Sequence, residues 1–331
     1  MNRTVMSRTG RSLAGVVLAV ALSLALTTQA MAALYATGNG TGPGAGLSAL
    51  YSLDPVDGTS TLLWNFQGVH IYAGGLAYDG TTDTLYATGA EDSSTGTSRL
   101  FTIDRHTGAI TSFGGLSSNI NISSGGLAIN PVTGVMYATG NWGENNVAHQ
   151  STALLTIDKT TGAATLVGYA GGNCCTGDFG IMLNGIGFRS DGTLFANGWG
   201  LAGPSYPDSS TSHLYTVDLA TGASNEIGPS GVTLGRSLKY SGLAFAADGT
   251  LLSVGSLDAA SGALYSLDTT TGAATSLSGT GLPYGTGPIH FGVDGGLVFA
   301  AAVPLPATVW LLATALAGLG GRRVLRRKIS V

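Results

Sequence analysis

Short apolar stretches recur along the chain, separated by Gly, Thr, Ser, Asn and Asp. Within each stretch apolar positions alternate with small or polar ones, the period of a half-buried strand. One phrase reads Leu-Tyr-Ala-Thr-Gly at Leu34 to Gly38 and at Leu85 to Gly89. It returns at Met136 to Gly140, Leu194 to Gly198 and Leu251 to Gly255, and weakly at Leu297. A second, Leu-Tyr-Ser-Leu-Asp, ends at Asp54, with relatives ending at Asp104, Asp158, Asp218 and Asp268; Gly58, Gly108, Gly162, Gly222 and Gly272 stand in the turns that follow. A third precedes the first, beginning at Gly75, Gly126, Gly185 and Gly242. A fourth short stretch, such as Thr165-Leu166-Val167-Gly168, follows the second.

Each repeat therefore predicts four strands over roughly 46 to 60 residues, the span of a propeller blade. No helical periodicity lies between the strands, which disfavours a βα solenoid. Four sheets of four strands cannot bury both faces alone but can when stacked around an axis. The predicted fold is all-β, a β-propeller of four-stranded blades, with five blades expected and six as the alternative. The N-terminus would supply strands two to four of one blade. The C-terminus would supply a first-type strand at Ile289 to Val293, with a surplus strand at Leu297. The strand and turn phrase resembles the broad class of extracellular β-propellers, a likeness of fold that gives no function.

The two ends have another grammar. Arg3, Arg8 and Arg11 precede an apolar run from Leu13 to Leu26, and Ala30-Met31-Ala32 follows. A basic start, a short apolar core and a small-x-small site predict a signal peptide and helix over 1–32, cut after Ala32 with Ala30 at the other small position. The partners implied are the Sec machinery and signal peptidase. At the C-terminus Val303, Pro304, Leu305, Pro306 and Ala307 lead into an apolar stretch to Leu319, and a basic cluster opens with Arg322 and Arg323. A transmembrane sorting helix over 303–331 is expected, its basic end cytoplasmic and the 33–302 domain outside. This tail resembles the PEP-CTERM sorting signal of Gram-negative bacteria in a Val-Pro-Leu-Pro-Ala form, with Leu305 where a glutamate is usual. The resemblance implies processing by an exosortase-type enzyme, then a cell-surface or extracellular address, and a setting of exopolysaccharide or biofilm production. Leu305 to Thr308 also resembles a sortase motif, but Val309 stands where that motif needs glycine.

Setting the ends aside leaves six basic residues against 18 acids, a net charge near −12 for the domain. That excludes a nucleic-acid binder, which needs clustered Lys and Arg. With 53 Gly and two Cys, the chain predicts many tight turns and no disulfide framework. Cys174-Cys175 is a candidate vicinal disulfide in an oxidising compartment, with two free thiols as the alternative.

The predicted turns fall into two sets. Those between strands one and two and between three and four are short and hold Asp and Gly, which serve turn backbone and positive φ. Those between strands two and three and between blades are long, and both lie on one face, where loops on a rigid scaffold carry binding. Trp142, Glu144, Asn145, Asn146 and His149 in one loop, and Trp199, Tyr206 and Asp208 in another, are the candidate binding residues. Aromatics beside amides and acids suit sugars or peptides. The alternative for Trp142 and Trp199 is packing of loops onto blades. His70, His106, His149, His213 and His290 are scattered, and neither a Gly-x-Ser-x-Gly elbow nor a His-Glu-x-x-His motif occurs. No catalytic residue and no cofactor is assigned. The expected function is a noncatalytic, surface-directed protein binding polysaccharide or another matrix protein; the alternative is a metal-dependent hydrolase or lyase on the propeller scaffold.

Overall fold

A computed structural model describes residues 32–39, 48–71, 74–90, 98–115, 120–121, 126–142, 152–171, 181–200, 212–231, 242–258, 261–277, 282–283 and 296–300. Residues 33–300 form one compact unit. The signal segment to residue 31, Cys174 and Cys175, and the sorting motif from Val303 to Arg323 lie outside the described residues. Among those described there is no helix.

The alternating phrases form antiparallel strands, grouped into five sheets. Blade 1 runs outward from β22 (Leu297–Ala300) through β1 (Ala33–Asn39) and β2 (Ser48–Leu53) to β3 (Ser60–Phe66). Blade 2 is β4 (Leu76–Asp79), β5 (Thr84–Gly89), β6 (Arg99–Ile103) and β7 (Ile110–Gly115). Blade 3 is β9 (Leu127–Ile129), β10 (Met136–Trp142), β11 (Ala153–Ile157) and β12 (Ala164–Tyr169), with the short β8 (Ile120–Asn121) beside the end of β10. Blade 4 is β13 (Ile181–Phe188), β14 (Leu194–Gly200), β15 (His213–Val217) and β16 (Ser224–Pro229). Blade 5 is β17 (Leu243–Phe245), β18 (Leu251–Asp258), β19 (Ser261–Leu267) and β20 (Ala274–Ser276), with β21 (Leu282–Pro283) pairing β19.

The inner strands β22, β4, β9, β13 and β17 each touch the next and close a ring, so the protein is a five-bladed propeller. The six-bladed alternative is excluded. The closing blade also corrects the predicted arrangement of the C-terminus. Leu297 to Ala300 is not a surplus second-type strand; it is the innermost strand of blade 1, paired with Ala33 to Ala36 of the N-terminal strand. Gly296-Leu297 thus repeats Gly75-Leu76 and Gly126-Leu127. Ile289 to Val293 lies outside the described residues.

Five apolar clusters fill the five gaps between blades. Leu34, Tyr51, Leu252, Leu264 and Leu297 join blade 1 to blade 5; Leu50, Phe66, Leu85 and Phe101 join blades 1 and 2. Equivalent clusters centre on Leu100 and Leu155, on Leu154 and Tyr215, and on Phe195 and Leu267. Each buried Leu contributes about 1.5–3 kcal/mol, so closure distributes stability around the ring and leaves no inner sheet edge facing bulk solvent.

Glycine sets how closely the blades approach at the axis. A Cβ on Gly75 would lie 2.1 Å from the Leu127 nitrogen, one on Gly242 2.2 Å from the Leu297 nitrogen, and one on Gly296 2.3 Å from the Leu76 nitrogen. The inner strands therefore meet backbone to backbone. Replacing Gly75 with Ala is expected to cost more than ~3 kcal/mol or to prevent folding, because the clash is with main chain. Gly134, at φ 71° with open space around it, is the comparison: Gly134→Ala is expected to cost only about 1–2 kcal/mol of left-handed strain. Urea unfolding of both variants reads the difference; equal losses would contradict close packing at the axis.

Candidate functional site

The two ends of the propeller are built differently. At one end the turns between strands three and four repeat almost atom for atom. The N–H of Gly58, Gly108, Gly162, Gly222 and Gly272 donates to the carbonyl of Asp54, Asp104, Asp158, Asp218 and Asp268, each at 2.8 Å. The Asp side chain accepts from the backbone N–H groups two or three residues on, as in Thr160 (2.8 Å) and Thr161 (2.9 Å) on Asp158. Hydrogen bonds from Thr160, joined by those of Thr161, hold the Asp158 carboxyl down at about 2. Turn structure occupies these acids, as the sequence predicted for them.

Two cations are drawn into this end. Arg105, 6 % exposed, places its guanidinium 5.2 Å from the Tyr78 ring centre and 2.6 Å from Asp83. Asp83 also accepts from the Tyr78 hydroxyl (2.9 Å) and sits 3.0 Å from His106 Nε2. Its backbone is left-handed, at φ 53°, a conformation Asp tolerates better than most residues. The His106 contact, with those of Tyr78 and Arg105, keeps the Asp83 carboxyl below the usual range. An aspartate engaged by three donors serves as a clamp between turns and is a poor proton acceptor. One blade on, Lys159 reaches across to Asp79 at 2.6 Å. Burial raises the Asp79 carboxyl, but hydrogen bonds from Lys159 and Thr81 outweigh it, and the net shift is downward. Neither cluster was read from the sequence. The available signal was that Arg105 and Lys159 both directly follow the aspartate of a strand three–four turn.

The other end carries the strand ends from which the long connections leave and to which they return. The antiparallel order within each blade places the segments between strands two and three and those between blades on this same side. Beneath them lies the axial floor. Gly75 faces its pairing strand: its carbonyl accepts from Thr88 N–H at 3.1 Å and its N–H donates to Thr88 Oγ1 at 2.9 Å. Gly126 does the same with Thr139 (3.0 and 2.7 Å), and Gly296 with Thr37 (3.1 and 2.8 Å). Successive residues of an antiparallel strand turn their N–H and C=O to opposite edges. The next residues, Leu76, Leu127 and Leu297, therefore present theirs to the inner edge. Ile186 and Leu243 hold the same register, opposite Ala196 and Ser253. At this level the axis holds a cavity of about 10 Å³, lined among the described residues by Gly74 and Gly75, by the later inner-strand glycines and by Leu76, Leu127, Ile186 and Leu297.

The predicted binding residues divide. Trp199 is not a loop residue: it belongs to β14, opposite Met182, and is 8 % exposed. It therefore packs within the blade and cannot stack an incoming ring, which is the packing alternative. Trp142 ends β10, its backbone opposite Ile120 of β8. Glu144, Asn145, Asn146, His149, Tyr206 and Asp208 lie outside the described residues. His213, at the long-loop end of β15, has Nδ1 2.7 Å from Glu226 Oε1, on the outer strands of blade 4 and away from the axis. Among the described residues no three His, Cys, Asp or Glu gather as a metal site would need.

No protein-family model and no curated protein matches the chain. Solved structures resemble it in fold. The periplasmic gluconolactonase of Pseudomonas aeruginosa is 12 % identical, with 81 % of this chain and 99 % of that one covered and a TM-score of 0.40. An exo-β-1,3-galactanase of Phanerochaete chrysosporium with β-1,3-galactotriose is also 12 % identical, covering 72 % and 62 %, with a TM-score of 0.46. A protein from Lactobacillus plantarum is 18 % identical, covering 75 % and 67 %, with a TM-score of 0.39. This likeness is one of fold. The two neighbours with a named activity are enzymes, a galactanase and a gluconolactonase, so the expectation of a noncatalytic protein finds no support among them.

The Lys159–Asp79 pair gives a pH-dependent prediction. With its pKa lowered on folding, Asp79 contributes stability that is present above about pH 4 and lost as pH falls through the lowered value. Lys159→Met is expected to cost about 1–3 kcal/mol at pH 7 by leaving a buried carboxylate without its cation. Urea titrations of both proteins should show that gap narrowing by pH 3. A gap of the same size at both pH values would mean that the lysine contributes only through its aliphatic stem.

Proposed function

We propose that the chain is an exported hydrolase or lyase acting on carbohydrate-derived material, with its site at the long-loop end, over the axis. One observation carries this reading: the division of labour between the two ends. Locked turns, whose acids are spent on backbone N–H groups, close one end. The strand order assigns the long connections to the other end, and the sequence of those connections carries Glu144, His149 and Asp208. Acids carried on loops beside a rigid scaffold suit general acid–base chemistry. Trp142, at the end of β10, and Tyr206 are aromatic residue types suited to stacking on a sugar ring. The signal and sorting segments fit a substrate met outside the cytoplasm, where exopolysaccharide is assembled.

The test is turnover by the mature exported chain on a panel of polysaccharides, aryl glycosides and sugar lactones, with and without chelator to read any dependence on a divalent ion. Activity is expected on at least one class, falling about 100-fold or more in Glu144→Gln or Asp208→Asn with unchanged thermal unfolding. No turnover across the panel, or turnover indifferent to both substitutions, would overturn the assignment.

A further inference from the structure

The axial floor has a chemistry that the proposed reaction does not require. Leu76, Leu127, Ile186, Leu243 and Leu297 occupy one level of the five inner strands, each opposite the same position of its neighbouring strand. Each turns a main-chain N–H and C=O to the inner edge. The strands run from the long-loop end toward the short turns, so at each residue the N–H stands nearer the long loops and the C=O nearer the turns. Five donors thus face the axis at the upper level and five acceptors at the lower. The cavity lies at the donor level, because the glycines preceding these residues line it as well. The near approach of the Leu76, Leu127, Ile186 and Leu297 nitrogens to the neighbouring blade's glycine shows how tightly this ring is drawn in.

A second buried donor without a partner lies next to this ring in the chain. Asn184 directly precedes Gly185 of the ring, at the bulge between Leu183 and Ile186. It is 4 % exposed, and its side-chain Nδ2 has no hydrogen-bond partner. Its carbonyl is engaged, accepting from Thr139 Oγ1 at 2.6 Å.

From this geometry we infer that the propeller axis is a binding site for one monoatomic anion, a halide, held by the main-chain N–H ring of the inner strands. A water molecule accepts two hydrogen bonds and must place two of its own, so it leaves most of a five-donor ring unsatisfied. A halide accepts from all sides. The cavity is small, about 10 Å³, which suits a single compact occupant. Among the described residues no acid lines the cavity. Convergent backbone N–H groups bind anions without any cationic side chain. The site needs only the closed ring, and its presence does not depend on catalysis.

The experiment uses the exported full-length chain and bromide as the probe. Crystals grown or soaked in sodium bromide should show one anomalous peak on the axis, level with the Leu76 nitrogen. Thermal unfolding in chloride or bromide, against sodium methanesulfonate at matched ionic strength, should show a saturable rise in Tm of about 3–6 °C. An axis without anomalous signal would identify the occupant as water and overturn the inference. A peak with no halide-dependent Tm would show binding at crystal concentration only, and would overturn it as well. Loss of enzymatic turnover bears on neither readout.

Discussion

The structure depends on close approach of main chain to main chain at the axis. Five inner strands can meet there only where no side chain intervenes, and Gly75, Gly126, Gly242 and Gly296 provide those positions. Their φ values are not the issue; the missing Cβ is. Once the strands are drawn in, the threonines at Thr37, Thr88 and Thr139, all buried, tie the N–H groups of Gly296, Gly75 and Gly126 back to their own blades. The Leu or Ile that follows packs its side chain against the neighbouring blade and leaves its main-chain polar groups facing the centre. Axial chemistry, inter-blade cores and ring closure thus follow from one short phrase repeated five times.

A related device holds the periphery. In three blades the glycine of the strand three–four turn abuts the outer strand of the preceding blade: Gly162 lies against Gly114, Gly222 against Gly168 and Gly272 against Gly228. Between blades 1 and 2 the partner of Gly108 is Trp64, whose Nε1 donates to the Arg105 carbonyl at 3.3 Å. That seam also holds the buried Arg105 between Tyr35, Tyr78 and Asp83. A bulky ring and a cation thus replace the glycine contact at one seam, beside the blade that joins the two ends of the chain.

Much of this was legible in the sequence. The alternation of the Leu-Tyr-Ala-Thr-Gly phrase, its spacing and the Asp-x-x-Thr-Gly turns identified four strands per repeat and five blades, because those signals are local. The sorting of turns into short and long sets followed from strand order alone. What failed was less local. Leu297 to Ala300 resembles a second-type strand in its apolar pattern, and only the glycine before it marks it as an inner one. Trp199 stands where the sequence passes from strand to loop, and a boundary moved by two residues changes it from an exposed platform to a core side chain. The Lys159–Asp79 and Arg105–Asp83 pairs join residues 80 and 22 positions apart, the first brought together by blade-to-blade packing and the second by the fold of blade 2. The noncatalytic expectation rested on motifs that catalytic propellers do not need, since residues for chemistry on this fold come from separate loops.

The most direct test of the account is whether the last inner strand closes the ring. Thermal unfolding of a chain ending at Ala302 should be compared with one ending at Gly296, which lacks Leu297 to Ala300. The first should unfold in one cooperative transition. The second loses a buried Leu, the ladder to Ala33 through Ala36, and the contact of Gly242 with Leu297. Several kcal/mol is then removed from a domain whose total stability is of order 5–15 kcal/mol. The account predicts that its cooperative transition disappears or falls by tens of degrees. An unchanged transition in the shorter chain would contradict closure through this strand and the axial packing on which the rest is built.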